Sequence, residues 1–267
     1  MPTRVAHSRP ATLAEPARGG PVDVLLLGGT TQARELAGCL AATGHSVVSS
    51  LAGEVSDPLP SAGEVRVGGF GGVAGLVAYL REHALPPVVD ATHPFAARIT
   101  ANAVAACAIT GAPLRRLSRP SWASRPDAAS WLWVDSLAQA RESLPDHCRA
   151  FLAIGRHGLG EFAAWADRFV LARVVDLPDG GVPAAWEVRA ARGPFCLESE
   201  LELMRSRRID VLIVKDSGGP TDAKLDAAAR LGVRVVALRR PSDPVGLATV
   251  ETVGEAVNWV RERWRRS

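Results

Sequence analysis

Three stretches in the first half of this 267-residue chain place glycines, hydroxyls and a histidine where work on an anionic, flat ligand would need them. In "GGTTQAR", residues 28–34, Gly28 and Gly29 permit positive φ and close backbone approach, while Thr30 and Thr31 add hydroxyls. The helix expected from Thr31 turns its unpaired N–H groups and positive dipole end toward a phosphate. A full dinucleotide fingerprint would carry glycine at positions 28, 30 and 33, but Thr30 and Ala33 stand at the last two. "GGFGG", residues 68–72, surrounds Phe70 with Gly68, Gly69, Gly71 and Gly72, so backbone can lie against a planar molecule with the ring available for packing or stacking. "DATHPFA", residues 90–96, puts Pro94 at a helix start and His93 at the loop tip. His93 there is a proton donor, a polar contact to a nicotinamide, or a surface histidine.

The second half repeats this logic with more charge. In "VKDSGGPTDAKL", Lys215, Ser217, Gly218 and Gly219 make an anion pocket with Lys215 as its point charge. "AIGRHGL" adds Arg156 and His157, and "RGPF" adds Arg192. Each alone reads as a solvated residue near a turn. Together they line one face of a cleft with positive charge, which suits a ligand carrying several carboxylates.

The elements that must position these loops alternate along the chain. Apolar runs at 22–27, 45–51, 64–68, 87–92 and 113–117 are separated by helical patterns near 31–43, 72–83 and 95–110. Continuous apolar strands between amphipathic helices predict parallel strands buried on both faces. Prolines, serines and tryptophans at 118–131 break the rhythm and mark a domain boundary, after which strands are expected at 131–134, 149–155, 168–175, 209–214 and 233–238. The expected organisation is α/β: a disordered extension at 1–21, a Rossmann-like dinucleotide domain at 22–120, and a second Rossmann-like domain at 121–267. Their mainly parallel sheets face a central cleft. "TGAPLRRLSRP" (110–120) and "LGVRVVALRRP" (231–241) echo one another at a constant offset, which reads either as duplication or as common punctuation.

Bulk properties narrow the class. No run reaches the roughly 18 apolar residues of a membrane span, so a soluble protein is expected. The four cysteines are widely spaced with no CxxC pattern, which favours a reduced, cytoplasmic, metal-free protein. A net charge of +3 without a basic, aromatic-interleaved stripe argues against nucleic acid. The composition leaves a monomer or a small homo-oligomer open.

Taken together, "LLLGGTTQARELA", "SSLAGE", "VRVGGFGGVAGL", "DATHPFAARITANA", "RGPF" and "VKDSGGPTDAKLDAAARLGV" resemble the precorrin-6A reductases of cobalamin biosynthesis, in order, from about Val22 to Pro241. The resemblance implies a two-domain reductase that uses NADPH to saturate one carbon–carbon bond of a carboxylate-fringed tetrapyrrole, precorrin-6A, giving precorrin-6B. It implies Gly28, Gly29, Thr30 and Thr31 near the pyrophosphate, and Ser50, Leu51, Ala52 and Gly53 beside the adenosine. Gly69, Phe70, Gly71, Gly72, Thr92 and His93 fall on the nicotinamide side, and Lys215 and Ser217 close on the cofactor or substrate from the other domain, with Lys215 also counted among the cofactor contacts. The proton donor stays open among His93, Lys215, Ser217 and water. Where the family usually has "SLAGR", this chain has Glu54, which repels a 2′-phosphate and favours a ribose hydroxyl. NADPH is the implied cofactor, NADH the alternative that Glu54 introduces, with Ser49, Ser50, Arg34 or Arg66 as compensating contacts. A short-chain dehydrogenase is disfavoured, because Tyr79 is followed four residues later by His83 rather than lysine. The competing classes are another NAD(P)-dependent reductase and a non-catalytic dinucleotide-sensing regulator.

Overall fold

The apolar runs become two all-parallel six-stranded sheets. The computed structural model describes residues 22–54, 58–219 and 222–264. The extension expected at 1–21 lies outside the described residues. The first sheet runs β12 (Thr249–Val250), β5 (Leu114–Leu117), β4 (Val88–Asp90), β1 (Val24–Leu27), β2 (Val47–Leu51), β3 (Glu64–Val67). The second runs β6 (Leu132–Val134), β11 (Arg234–Leu238), β10 (Val211–Lys215), β7 (Ala150–Ala153), β8 (Val170–Val174), β9 (Trp186–Ala190). β1 is apolar and fully buried along its length, as a strand covered on both faces must be.

Helices close both faces. α1 (Thr31–Ala42), α2 (Gly72–Glu82) and α3 (Ala97–Thr110) belong to the first sheet, and α4 (Leu137–Glu142), α5 (Leu197–Ser206) and α6 (Ala223–Leu231) to the second. The stops are local chemistry: Gly111 after α3 and Gly232 after α6 sit at φ 79° and 67°, the left-handed cap that glycine adopts without strain.

The two sheets share one strand order, which gives the sequence echo a topological basis, and each sheet takes an edge strand from the other half. β6 follows β5 in the chain but pairs with β11, while β12 follows β11 but pairs with β5. This corrects the expectation that all of 121–267 forms the second domain. β12 extends the first sheet, with Ser118 N donating to Val250 O at 2.8 Å. The last helix, α7 (Val253–Trp264), buries Ala256, Trp259 and Val260 against Leu36 and Leu40 of α1. β9 and β12 are additional strands that the periodicity did not reveal. The helices leave the C-terminal edges of both sheets to the loops, and the two crossover segments between β5 and β6 and between β11 and β12 tie those edges together.

Candidate functional site

At the C-terminal ends of β1 to β4, the loops are held by their own side chains. Gly28 N donates to Ser50 O (2.9 Å), and a Cβ on Gly28 would meet Leu51 Cδ2 at 3.3 Å, so the first turn lies directly against the end of β2. Thr30 is buried: its Oγ1 accepts from Ala33 N (3.1 Å), capping α1, and donates to Ala91 O (2.8 Å). The hydroxyl expected to serve a ligand therefore fastens the helix to Ala91, just past the end of β4, instead. Thr31 is exposed, and its Oγ1 accepts from Arg34 Nη2 at 3.0 Å, which brings a guanidinium to the helix start.

Arg66 shapes the "GGFGG" loop. It donates to Gly68 O and, at 2.9 Å, to Gly69 O, and its guanidinium lies 4.0 Å from the centre of the Phe70 ring. Tyr79 stands edge-on to the same ring at 5.2 Å. Of the two roles open to Phe70, packing or stacking on a flat ligand, its ring takes packing, anchoring the loop between Arg66 and Tyr79. Gly75 is required by the same loop, since a Cβ there would sit 1.6 Å from Phe70 O.

The "DATHPFA" loop is organised by Asp90, which is buried at the end of β4. Its carboxylate accepts from Thr92 N (3.0 Å), Thr92 Oγ1 (2.6 Å), Thr100 Oγ1 (2.7 Å) and Arg116 Nη1 (2.7 Å). Arg116 in turn meets Asp243 at 3.0 Å. This network leaves His93 and Phe95 to reach across the cleft. Phe95 packs against the core of the second sheet, and Lys215 Nζ lies 5.3 Å from its ring centre. His93 Nδ1 accepts from Phe95 N (3.2 Å), so its proton is assigned to Nε2 in the neutral ring. Burial, then Arg119, Lys215, Arg240 and Arg116, pull its pKa down to about 3. His93 is thus a neutral N–H donor at physiological pH and not an imidazolium acid.

The second sheet builds the opposite wall in a similar way. Asp216, buried just past β10, accepts from Ser121 Oγ (2.7 Å), Trp122 N (2.9 Å), Arg240 Nε (2.9 Å) and Arg240 Nη2 (3.0 Å). Arg240 also donates to Arg119 O at 2.7 Å, which fixes the first crossover segment. Gly218, at φ +61°, packs so closely that a Cβ would meet Pro120 O at 2.4 Å, and one on Gly219 would meet Arg119 Cδ at 3.0 Å. These glycines, expected to touch substrate, bring backbone up to Arg119. Among the described residues, neither Arg119 nor Lys215 has a carboxylate partner. Arg119 Nη2 is buried without a hydrogen bond, and burial, with Arg240 and Arg116 nearby, draws the group's pKa down to about 10. Burial also lowers the Lys215 pKa.

At the other end of the cleft the charges are paired. Arg156 Nη2 donates to Glu54 O (2.8 Å), and His157 Nε2 lies 2.5 Å from Glu54 Oε2. The hydrogen bond from His157 is the main cause of a lowered Glu54 pKa. Arg192 is exposed in the turn before α5, and no contact to the Lys215 and Arg119 group is seen among the described residues. Ser217 sits in a tight turn with its N–H on Lys215 O (2.6 Å).

The fold therefore gathers His93, Lys215 and Ser217 with the "GGTT" and "GGFGG" loops on the facing strand ends, and leaves Arg192 outside. Asp90, Arg116, Arg119, Asp216 and Arg240 were missed by residue-by-residue reasoning. The signal for two of them was present: the echoed "LSRP" and "LRRP" put Arg119 and Arg240 at matching positions.

Comparison with known proteins agrees with this architecture. The family model for precorrin-6x reductase CbiJ/CobK matches residues 23–261. The precorrin-6A reductase of Rhodococcus erythropolis is 49% identical over 246 residues, covering 91% of this chain and 99% of that protein. That of Mycobacterium tuberculosis (strain CDC 1551 / Oshkosh) is 45% identical, covering 89% and 96%. A cobalt-precorrin-6A reductase of Priestia megaterium is 29% identical, covering 88% and 97%. Among solved structures, CobK precorrin-6A reductase aligns with a TM-score of 0.83 at 41% identity, covering 90% of this chain and 96% of that one. With the family model spanning both sheets and the curated relatives aligned over nearly their whole length, the chain belongs to the precorrin-6x reductase CbiJ/CobK family.

Proposed function

We infer that this chain is an oxidoreductase acting on a CH–CH group, reducing one carbon–carbon double bond of precorrin-6A in cobalamin biosynthesis with NADPH as donor. The observation that carries the substrate side is the pair of cations, Arg119 and Lys215, that have no carboxylate partner among the described residues and lie half-buried beside His93 where the two sheets' strand ends meet. A buried cation without a counterion is costly, and a substrate fringed with carboxylates supplies the missing charge.

The first domain fits a dinucleotide on its own geometry. Gly28 leaves a cradle against Leu51 and Ser50 that a side chain would fill, at the N-terminus of the 12-residue helix α1. Residues 28–31 would hold the pyrophosphate, 50–53 the adenosine, and 69–72 with Thr92 the nicotinamide side. When bound, the reduced nicotinamide supplies the hydride.

The chain's own residues supply orientation and the proton. Asp90 holds Thr92 and thereby the loop that presents His93, whose Nε2–H offers a neutral hydrogen bond to the substrate. Lys215 is the proton donor: its ammonium, made more acidic by burial, gives a proton from Nζ to the ring carbon next to the one that accepts hydride. The resulting amine regains its proton from solvent. Arg119 anchors a substrate carboxylate beside this atom.

The test is an anaerobic comparison of NADPH and NADH as donors to precorrin-6A and to its cobalt form. Reduction with NADPH at the higher kcat/KM supports the reading. Tight NADPH binding with no reduction of either tetrapyrrole would favour a nucleotide-sensing regulator.

A further inference from the structure

The clasp at the adenosine end of the cleft is made of an acid from one domain and two bases from the other. Glu54 stands three positions past β2, at the strand end where nucleotide-binding sheets carry the adenosine ribose. Arg156 and His157 open the 3-10 helix Arg156–Phe162, after β7 of the second sheet. Arg156 Nη2 lies 2.8 Å from Glu54 O and 3.7 Å from Oε2, and His157 Nε2 is 2.5 Å from the same carboxylate oxygen.

We propose that Arg156 and His157 are the 2′-phosphate-recognising residues of the cofactor site, and that the Glu54 carboxylate is the internal anion the phosphate must displace. This rests on the NADPH reading above. Of the other cations near these strand ends, Arg66 is committed to two carbonyls and the Phe70 face, while Arg34 stands at the start of α1, bonded to Thr31, where the pyrophosphate is placed. Arg156 and His157 instead face an anion, so a phosphate takes over an environment already built for negative charge. The guanidinium fork and the imidazole match a dianion with three oxygens better than they match one carboxylate. The exchange is cheap because His157 and Glu54 are 69% and 60% exposed and their pairing is screened by water. Glu54, read from sequence as repelling the 2′-phosphate, becomes instead a placeholder that swings aside. Because the bases come from the second domain, a 2′-phosphorylated cofactor also bridges the two sheets.

The test is calorimetric binding of 2′,5′-ADP and 5′-AMP to the full-length protein and to Arg156→Gln, His157→Asn and Glu54→Gln. The expected result is tighter binding of 2′,5′-ADP than of 5′-AMP by the parent. Arg156→Gln should weaken 2′,5′-ADP about ten-fold or more and leave 5′-AMP unchanged, with a smaller loss for His157→Asn. Glu54→Gln should tighten 2′,5′-ADP several-fold, since its competitor is gone. A loss of less than two-fold in Arg156→Gln, an equal loss for both nucleotides, or weaker 2′,5′-ADP binding in Glu54→Gln would overturn the assignment. Retained 5′-AMP binding in each variant separates that failure from failure of the dinucleotide reading, which falls, and the proposal with it, if neither nucleotide binds the parent.

Discussion

The centre of the cleft and its Glu54 end use basic side chains to opposite effect. At the end where Glu54 stands, Arg156 and His157 are satisfied by that residue in water. At the centre, Arg119 and Lys215 are drawn out of water with no carboxylate among the described residues, while neighbouring Arg116 and Arg240 are neutralised by Asp90, Asp243 and Asp216. The difference teaches how charge can be stored. Exposed pairs contribute little and exchange readily, whereas buried unpaired cations hold binding energy that only an anionic ligand releases.

The largest expected effect breaks the buried side. Lys215→Met should lower turnover by about 10²- to 10⁴-fold, the usual range for removing a positioned proton donor, with a much smaller change in NADPH affinity. Steady-state kinetics paired with cofactor titration checks this; equal losses in both would move Lys215 from the proton step to binding. Next is the carboxylate that organises the second wall. Asp216→Asn removes the charge facing Arg240, and denaturant unfolding should register a loss of about 3 kcal/mol. A loss under about 1 kcal/mol would mean that water already compensates Arg240.

A pH-dependent effect follows from His93. Its folded pKa of about 3 lies below the ordinary value of 6.5, so the fold favours the neutral ring. The stabilisation is present above pH 6.5 and is lost as pH falls toward 3. His93→Gln should therefore lose less stability than the parent between pH 6.5 and 4, as thermal melts across that range would record. Parallel curves would place His93 in solvent. The smallest effect belongs to the exposed clasp, where Glu54→Gln should change unfolding free energy by no more than about 1 kcal/mol. A larger loss would make the clasp a structural element and would narrow the contrast with the centre.

Much of this was legible in the sequence. Continuous apolar runs such as Val24–Leu27 announce strands buried on both faces, and each glycine-rich loop falls at a strand end because parallel sheets collect their loops there. The strand exchange was not legible: β12, with two residues, is too short for any periodicity, and although a strand is expected at 131–134, the partners of β6 and β12 are chosen by tertiary packing. Side-chain roles were hidden for a related reason. Thr30 and Phe70 look available in sequence, yet Ala91 reaches Thr30 only once β4 lies beside β1, and Arg66 and Tyr79, though near in sequence, close on Phe70 only when its loop folds back between them. Asp90 and Asp216 look like punctuation until Arg116 and Arg240 arrive from the neighbouring strand and the turn after it.

The central claim is that a hydride from the nicotinamide and a proton held by the protein are delivered to one double bond of precorrin-6A in this cleft. Anaerobic turnover with NADPH deuterated at the transferring position, in ordinary water, tests it by mass spectrometry of the tetrapyrrole. The account predicts a product that has gained one deuterium from the cofactor and one proton from the protein and solvent. A reduced product without deuterium, or NADPH that binds and is never consumed, would contradict it.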